Sequence, residues 1–358
     1  FFKQKTAYEI KECDWSSDVC SSDLVDVLKA LDVEYMVMMC ASSFRGIHEA
    51  IVNYADNRKP EILTTAHEEI ANAMAHGYGK MAGKPLATIQ HGNVGVQHAS
   101  MAFYNAWCDR APILSFCGNI IEADKRLPGA EWVHSAVDPA GMVRDMLKYD
   151  DQPASLQHFA ESVTRAVKIA TTPPMGPTLV VLDAELQEHP IANREKLRIP
   201  KYTPVIPPVG DPGALQEAAR LLANAEAPVI IADRMSRTQA GVDRLVELAE
   251  ALQCAVVDTG GRMNFPSRHP LNASQRARAV ISQADVILGM EMNDLWGQLN
   301  AQSDRVHRQS RKVTKAGAKI ITLSNKDMYS KSNFQDSARF QEADISIAGD
   351  GESSLPLL

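Results

Sequence analysis

The chain has 358 residues, 45% of them apolar and 23% charged, which is enough for two or three domains with cores of their own. A formal net charge of −7 without any Lys/Arg-rich run argues against nucleic acid or a membrane surface as partner. No apolar stretch reaches the roughly 20 residues of a membrane span, and six cysteines without a C-x-x-C pair suggest a reduced, cytoplasmic setting.

Residues 1–24 (FFKQKTAYEIKECDWSSDVCSSDL) have neither helical nor strand periodicity. They resemble translated sequencing-adapter read-through and are set aside as non-native, with a disordered tail as the alternative. From Val25 onward, β-rich runs alternate with helical patterns, which predicts parallel sheet with crossover helices. In the first block, strands are expected at Tyr35–Met39, Leu86–Gln90, Ile113–Cys117 and Thr178–Leu182. Helices are expected at Glu68–Lys80, Val96–Trp107 and Leu156–Ala170, with Ile70, Met74 and Tyr78 forming one face of the first. A stretch rich in Pro and Gly, Pro200–Pro212, reads as part of a linker over residues 191–212. In the second block, strands are expected at Val229–Ala232, Ala255–Asp258, Val286–Leu288, Lys319–Leu323 and Asp344–Ile347, with helices such as Gly241–Leu252 and Ala273–Gln283 between them. The predicted fold class is α/β, two tandem Rossmann-like parallel-sheet domains at residues 25–190 and 213–358 with flanking helices.

The run Thr65-Ala-His-Glu-Glu-Ile-Ala-Asn-Ala-Met-Ala-His-Gly-Tyr-Gly79 puts Glu68 in the first turn of an Ala-rich helix. A strand and the polar turn His91-Gly-Asn-Val-Gly95 follow. Taken alone, Thr65-x-x-Glu68 is a capping box. In sequence order, however, these features resemble the pyrimidine-binding domain of thiamine-diphosphate enzymes of the acetolactate synthase, benzoylformate decarboxylase and pyruvate oxidase superfamily. The resemblance implies that Glu68 is the carboxyl group that drives the cofactor's aminopyrimidine toward its imino tautomer. It assigns Glu68 and Asn93 to cofactor binding, and Glu68 and His91 to catalysis. His91 matches a catalytic histidine of the benzoylformate decarboxylase branch, a residue type suited to proton transfer near neutral pH. The alternative is a loop histidine held by backbone hydrogen bonds.

Ser43, after the first strand in Met39-Cys-Ala-Ser-Ser43, is a weaker candidate for substrate contact. The Gly-x-Pro-Gly turn of relatives is missing there, and a helix N-cap is the alternative. His98 reads as structural, and His91-x6-His98 is not a metal pair. Trp107, Cys108 and Cys117 read as core or interface. Gly349-Asp350-Gly351 looks like the family's diphosphate-Mg2+ motif, but the surrounding text resembles the end of the middle domain, so Asp350 is rejected and no metal ligand is assigned. Mg2+ ligands are expected on a diphosphate-binding domain outside this sequence. After the first strand of the second domain, Ala232-Asp-Arg-Met235 lacks the glycines that favour a flavin, so the expectation is against FAD.

The expected activity is decarboxylation or carboligation of a small 2-oxoacid by a homodimer or homotetramer. Residues 1–358 are expected to be inactive alone. A non-catalytic paralogue or partner subunit, and a nucleotide-binding Rossmann protein, are the rival readings.

Overall fold

The structure, a computed structural model, describes residues 20–129, 131–188, 197–329, 331 and 336–358. Two compact units emerge. One comprises the residues up to Ala106 with Ala111–Ala170 and Pro177–Pro204; the other comprises Trp107–Arg110, Thr171–Gly176 and Val205–Leu358.

In chain order the first unit contains helix α1 (Cys20–Ala30), strand β1 (Tyr35–Met38), α2 (Arg45–Glu49), β2 (Glu61–Thr64), α3 (Glu68–Ala82), β3 (Leu86–Gln90), α4 (Gly92–Cys108) and β4 (Ile113–Asn119). Then come α5 (Glu131–His134), β5 (Tyr149–Asp151), α6 (Leu156–Thr171), β6 (Pro177–Asp183) and α7 (Ala184–Glu188). Its six strands are ordered β2-β1-β3-β4-β6-β5, and every pairing is parallel. Every residue of β3 and β4 is buried, as central strands covered on both faces must be.

The second unit contains α8 (Pro212–Ala223), β7 (Pro228–Ala232), α9 (Gln239–Leu252), β8 (Ala255–Asp258), α10 (Ala277–Gln283), β9 (Val286–Met290) and α11 (Leu295–Leu299). It continues with β10 (Asn300–Asp304), β11 (Gln309–Lys312), β12 (Lys319–Ser324), α12 (Lys326–Tyr329), β13 (Ile345–Ala348) and α13 (Gly351–Ser354). The five-stranded parallel sheet is ordered β13-β12-β9-β7-β8, and β10 and β11 form a separate antiparallel hairpin. The α/β class with parallel sheets and flanking helices is therefore the observed one.

Four expectations change. First, a boundary at residue 24 cuts through α1: Ser22, Asp23 and Leu24 are buried, and Leu24, Val25, Val27 and Leu28 join one core cluster. Residues 1–19 of the segment set aside lie outside the described residues, as do 189–196 at the start of the expected linker; residues 197–211 carry no helix or strand. Second, the Ile70–Met74–Tyr78 face of α3 is not its core face, for Ile70 and Met74 are exposed. The helix buries Glu68 and Asn72 together with Ala71, Ala75 and Gly79, whose small size allows close approach to the sheet. A Cβ on Gly79 would sit 2.5 Å from the Pro112 carbonyl.

Third, the polar turn after β3 is absorbed into α4, which begins at Gly92 rather than Val96. Fourth, β2, β5 and the β10–β11 hairpin have no counterpart in the sequence reading. They are short, and β11 is wholly exposed, so no apolar alternation marks them.

Candidate active site

The first unit gathers its candidate residues at the carboxyl ends of β1, β2 and β3, the edge where open parallel sheets bind ligands. Glu68 opens α3 four residues after β2. The capping box does not form. His67 is the N-cap, with extended backbone, and its Nδ1 accepts the Glu69 N–H at 3.2 Å. The Thr65 hydroxyl donates instead to the His67 carbonyl at 3.1 Å, and the Thr65 N–H to the Met38 carbonyl at 2.8 Å. Glu68 is thus the first helical residue, its carboxyl turned inward at 1% exposure. Its Oε2 lies 3.4 Å from His98 Nδ1, while Oε1 is buried without a hydrogen-bond partner.

Gly95 makes room for that carboxyl group: a Cβ there would stand 2.9 Å from Glu68 Oε1 and 3.1 Å from the Gln90 main chain. Beneath it runs a buried polar ladder between α3 and the sheet. Asn72 Nδ2 donates to the Glu68 carbonyl at 3.3 Å, Thr88 Oγ1 donates to Asn72 Oδ1 at 3.2 Å and lies 2.8 Å from Ser115 Oγ. Gln90 closes the ladder, donating to Thr88 at 3.1 Å and accepting from Ser115 at 2.7 Å. Thr88 and Gln90 share a face of β3, and Thr88 pairs with Ser115 in register, so alternation alone brings the three together. These interlocked bonds fix the helix turn that carries Glu68.

His91 links β3 to α4. Its Nδ1 is 2.9 Å from Ser43 Oγ, and its ring packs on His134 with centroids 4.3 Å apart. Ser43 does not cap a helix; it sits in a 3-10 turn (Ser42–Phe44) whose hydroxyl reaches His91. Gln187 holds that turn by donating to the Ser43 carbonyl at 3.1 Å. Gly92 has φ +49°, and a Cβ on it would collide with the His134 carbonyl, so only glycine lets α4 begin directly after His91.

Burial lowers the His91 pKa, His134 lowers it further, and the Glu68 carboxylate opposes both. His91 should therefore titrate below the ordinary histidine value of 6.5, so that stability is full above that value and is lost as pH falls from there through the lowered folded-state pKa. An NMR titration of the His91 Cε1–H is expected to show this, and His134→Gln should move the midpoint upward. An unchanged midpoint in that variant would remove His134 from the account.

Asn93 lies in the first turn of α4 with a buried, unpartnered Oδ1. His98, read as structural, instead contacts Glu68 and stacks on His67 at 4.8 Å with 18° between the rings. The ligand atoms of His67, Glu68 and His98 lie within 4.8 Å of one another. Stacked rings present their faces to each other rather than converging nitrogens about 2 Å from one point, so the trio is a poor cation cage. Cys117 is fully buried, and that burial drives its thiol pKa far above the ordinary range, which suits a core residue.

In the second unit, both Asp350 oxygens are engaged. Arg237 donates to them at 2.6 and 2.8 Å, and Oδ1 also caps α13 through the Ser353 N–H at 2.9 Å. A crevice of about 370 Å3 lies at the carboxyl ends of β7, β8 and β9, lined by Asp233, Arg234, Thr259 and Asp294 among others.

Two family models match: the N-terminal TPP binding domain of thiamine pyrophosphate enzymes over residues 20–142, and their central domain over residues 215–350. The chain belongs to the thiamine-diphosphate enzyme superfamily. Similar proteins include a probable acetolactate synthase large subunit of Methanocaldococcus jannaschii, 25% identical over 241 residues (64% of this chain, 40% of the relative). A benzoylformate decarboxylase of Pseudomonas aeruginosa is 25% identical over 206 residues (57% and 38%). The chain thus spans about 40% of the length of these relatives. The crystal structure of benzoylformate decarboxylase from Polynucleobacter necessarius matches with a TM-score of 0.73 at 18% identity, covering 95% of this chain and 60% of that one.

The site's donor and acceptor set fits the aminopyrimidine of thiamine diphosphate. A buried carboxyl oxygen and a buried amide oxygen lack partners, and a glycine keeps the space beside the carboxyl group open. The crevice of the second unit fits a flavin diphosphate less well. Asp233 and Asp294 present negative charge to it, and the Arg234 guanidinium is already paired with Asp233 at 2.6 Å.

Proposed function

We propose that these residues form the pyrimidine half of a thiamine-diphosphate site that decarboxylates or carboligates a small 2-oxoacid. The observation carrying this reading is the buried Glu68 carboxyl group with its free Oε1 under Gly95. When bound, thiamine diphosphate supplies a nucleophilic carbon and an electron sink for loss of CO2. Glu68 Oε1 would exchange a proton with the bound pyrimidine, and Asn93 Oδ1 would accept a hydrogen bond from it. His91, oriented by Ser43 at 2.9 Å and kept neutral by burial, exchanges a proton with the substrate side. Neither diphosphate nor Mg2+ is assigned to a residue of these two units, and FAD is not part of the reading.

Exposed Ile70, Met74, Met81 and Met101 on α3 and α4 support burial against a second copy in a homodimer or homotetramer. The setting is cytoplasmic, in keeping with the free thiols of Cys40, Cys108, Cys117 and Cys254.

Titration with 4-amino-2-methylpyrimidine, followed by NMR, tests the reading. Resonances of Glu68, Asn93 and Gly95 should shift and saturate. Saturable shifts with an adenine nucleotide at the second unit's crevice, and none at Glu68, would favour a nucleotide-binding protein instead.

A further inference from the structure

The two oxygens of the Glu68 carboxyl group meet one turn of α4 in different ways. Gly95 and His98 stand three residues apart on that helix and share a face. Gly95 leaves space beside Oε1, which has no partner, while the His98 imidazole reaches Oε2 through Nδ1 at 3.4 Å. Among the described residues, His98 is the carboxyl group's only hydrogen-bond partner.

A second histidine sets the plane of the His98 ring. His67 stacks on it with centroids 4.8 Å apart and 18° between the rings. His67 is itself fixed, because its Nδ1 accepts the Glu69 N–H at 3.2 Å and its carbonyl accepts from the Thr65 hydroxyl. With 56% of its side chain exposed, His98 would otherwise swing into solvent, and the stack offsets that freedom.

Which oxygen of Glu68 can carry a proton depends on the His98 tautomer. If His98 donates from Nδ1, Oε2 is the acceptor, and the acid form of Glu68 has its hydrogen on Oε1, beside the open space. If Nδ1 is bare, the carboxyl hydrogen turns to it and Oε1 is left without one. We propose that His98 is a positioning residue for Glu68: it donates from Nδ1 to Oε2 and so reserves Oε1 for the proton exchanged with the aminopyrimidine. The proposal rests on the reading of Glu68 given above and adds the group that tells its two oxygens apart.

The test uses the 358-residue chain. A long-range proton–nitrogen NMR spectrum at about pH 8, where an ordinary histidine is neutral, should show a proton on His98 Nδ1. A bare Nδ1 overturns the proposal. Two variants then separate the donor from the ring. His98→Phe keeps a ring against His67 but has no donor; His98→Asn loses the ring but carries an amide nitrogen near the place of Nδ1. Titrated with 4-amino-2-methylpyrimidine and followed at Asn93 and Gly95, the phenylalanine variant should bind about tenfold more weakly or worse. The asparagine variant should keep most of the affinity. A phenylalanine variant that binds like the unsubstituted chain overturns the proposal and leaves His98 a packing residue. Absence of saturable shifts in the unsubstituted chain counts instead against the reading of Glu68, and the nitrogen spectrum still decides the tautomer.

Discussion

Glu68→Gln is expected to cut 2-oxoacid turnover about 10²- to 10⁴-fold in the enzyme that carries these domains with its diphosphate half, the usual size of a lost acid–base group. Glutamine keeps the shape and the 3.4 Å approach to His98 but cannot hold or release the proton at Oε1. Folding should not suffer, because Oε1 contributes no hydrogen bond to the protein. Glu68→Met goes further: it removes a buried oxygen without a partner and should raise stability by about 1–3 kcal/mol while abolishing activity. Opposite movements of activity and stability are what a buried functional group predicts and what a helix cap does not. The paired measurement is CO2 release from a 2-oxoacid alongside thermal melting. A Gln variant with near wild-type turnover would end the assignment, and a Met variant that melts much lower would make Glu68 structural.

How much of this was legible in the residues depends on what each element is made of. β3 and β4 could be placed from sequence because strands buried on both faces are short, mainly apolar runs, here Leu86–Gln90 and Ile113–Asn119. Glu68 could be singled out, yet its surroundings could not. The capping-box pattern names Thr65 as N-cap, whereas the path of the chain out of β2 gives that place to His67. The core face of α3 is hidden for a related reason: large apolar residues such as Ile70 and Met74 dominate a periodicity count, while Ala71, Ala75 and Gly79 mark the buried face by permitting close approach. The contacts of His91 with Ser43 and His134 span 48 and 43 positions, beyond any local pattern. Thr88 and Gln90 at alternate positions of β3 and Ser115 in β4 give one faint signal, polar side chains inside mainly apolar strands. Such residues need partners when buried, so they point to a network even before its members are known.

Arg237→Met is expected to destabilise the second unit by about 3–5 kcal/mol, because it strands a fully buried carboxylate rather than merely deleting an ion pair. Asp350 has no exposure, and two of the three hydrogen bonds to its carboxylate come from the Arg237 guanidinium. Asp350→Asn added to that variant should restore more than half of the loss, since asparagine still caps α13 without burying a charge. Urea unfolding of the single and double variants, with amide exchange read over residues 205–358, measures both effects; a loss below about 1 kcal/mol for Arg237→Met would refute the argument. The same geometry explains why Gly349-Asp350-Gly351 misleads as text. A metal-binding aspartate must leave an oxygen open to the ion, whereas here Arg237 and the Ser353 N–H occupy both, and Gly351 gives its N–H to Glu291 at 2.9 Å. A motif fixes only the order of residues; whether its carboxylate can serve an ion is decided by which donors have reached it first.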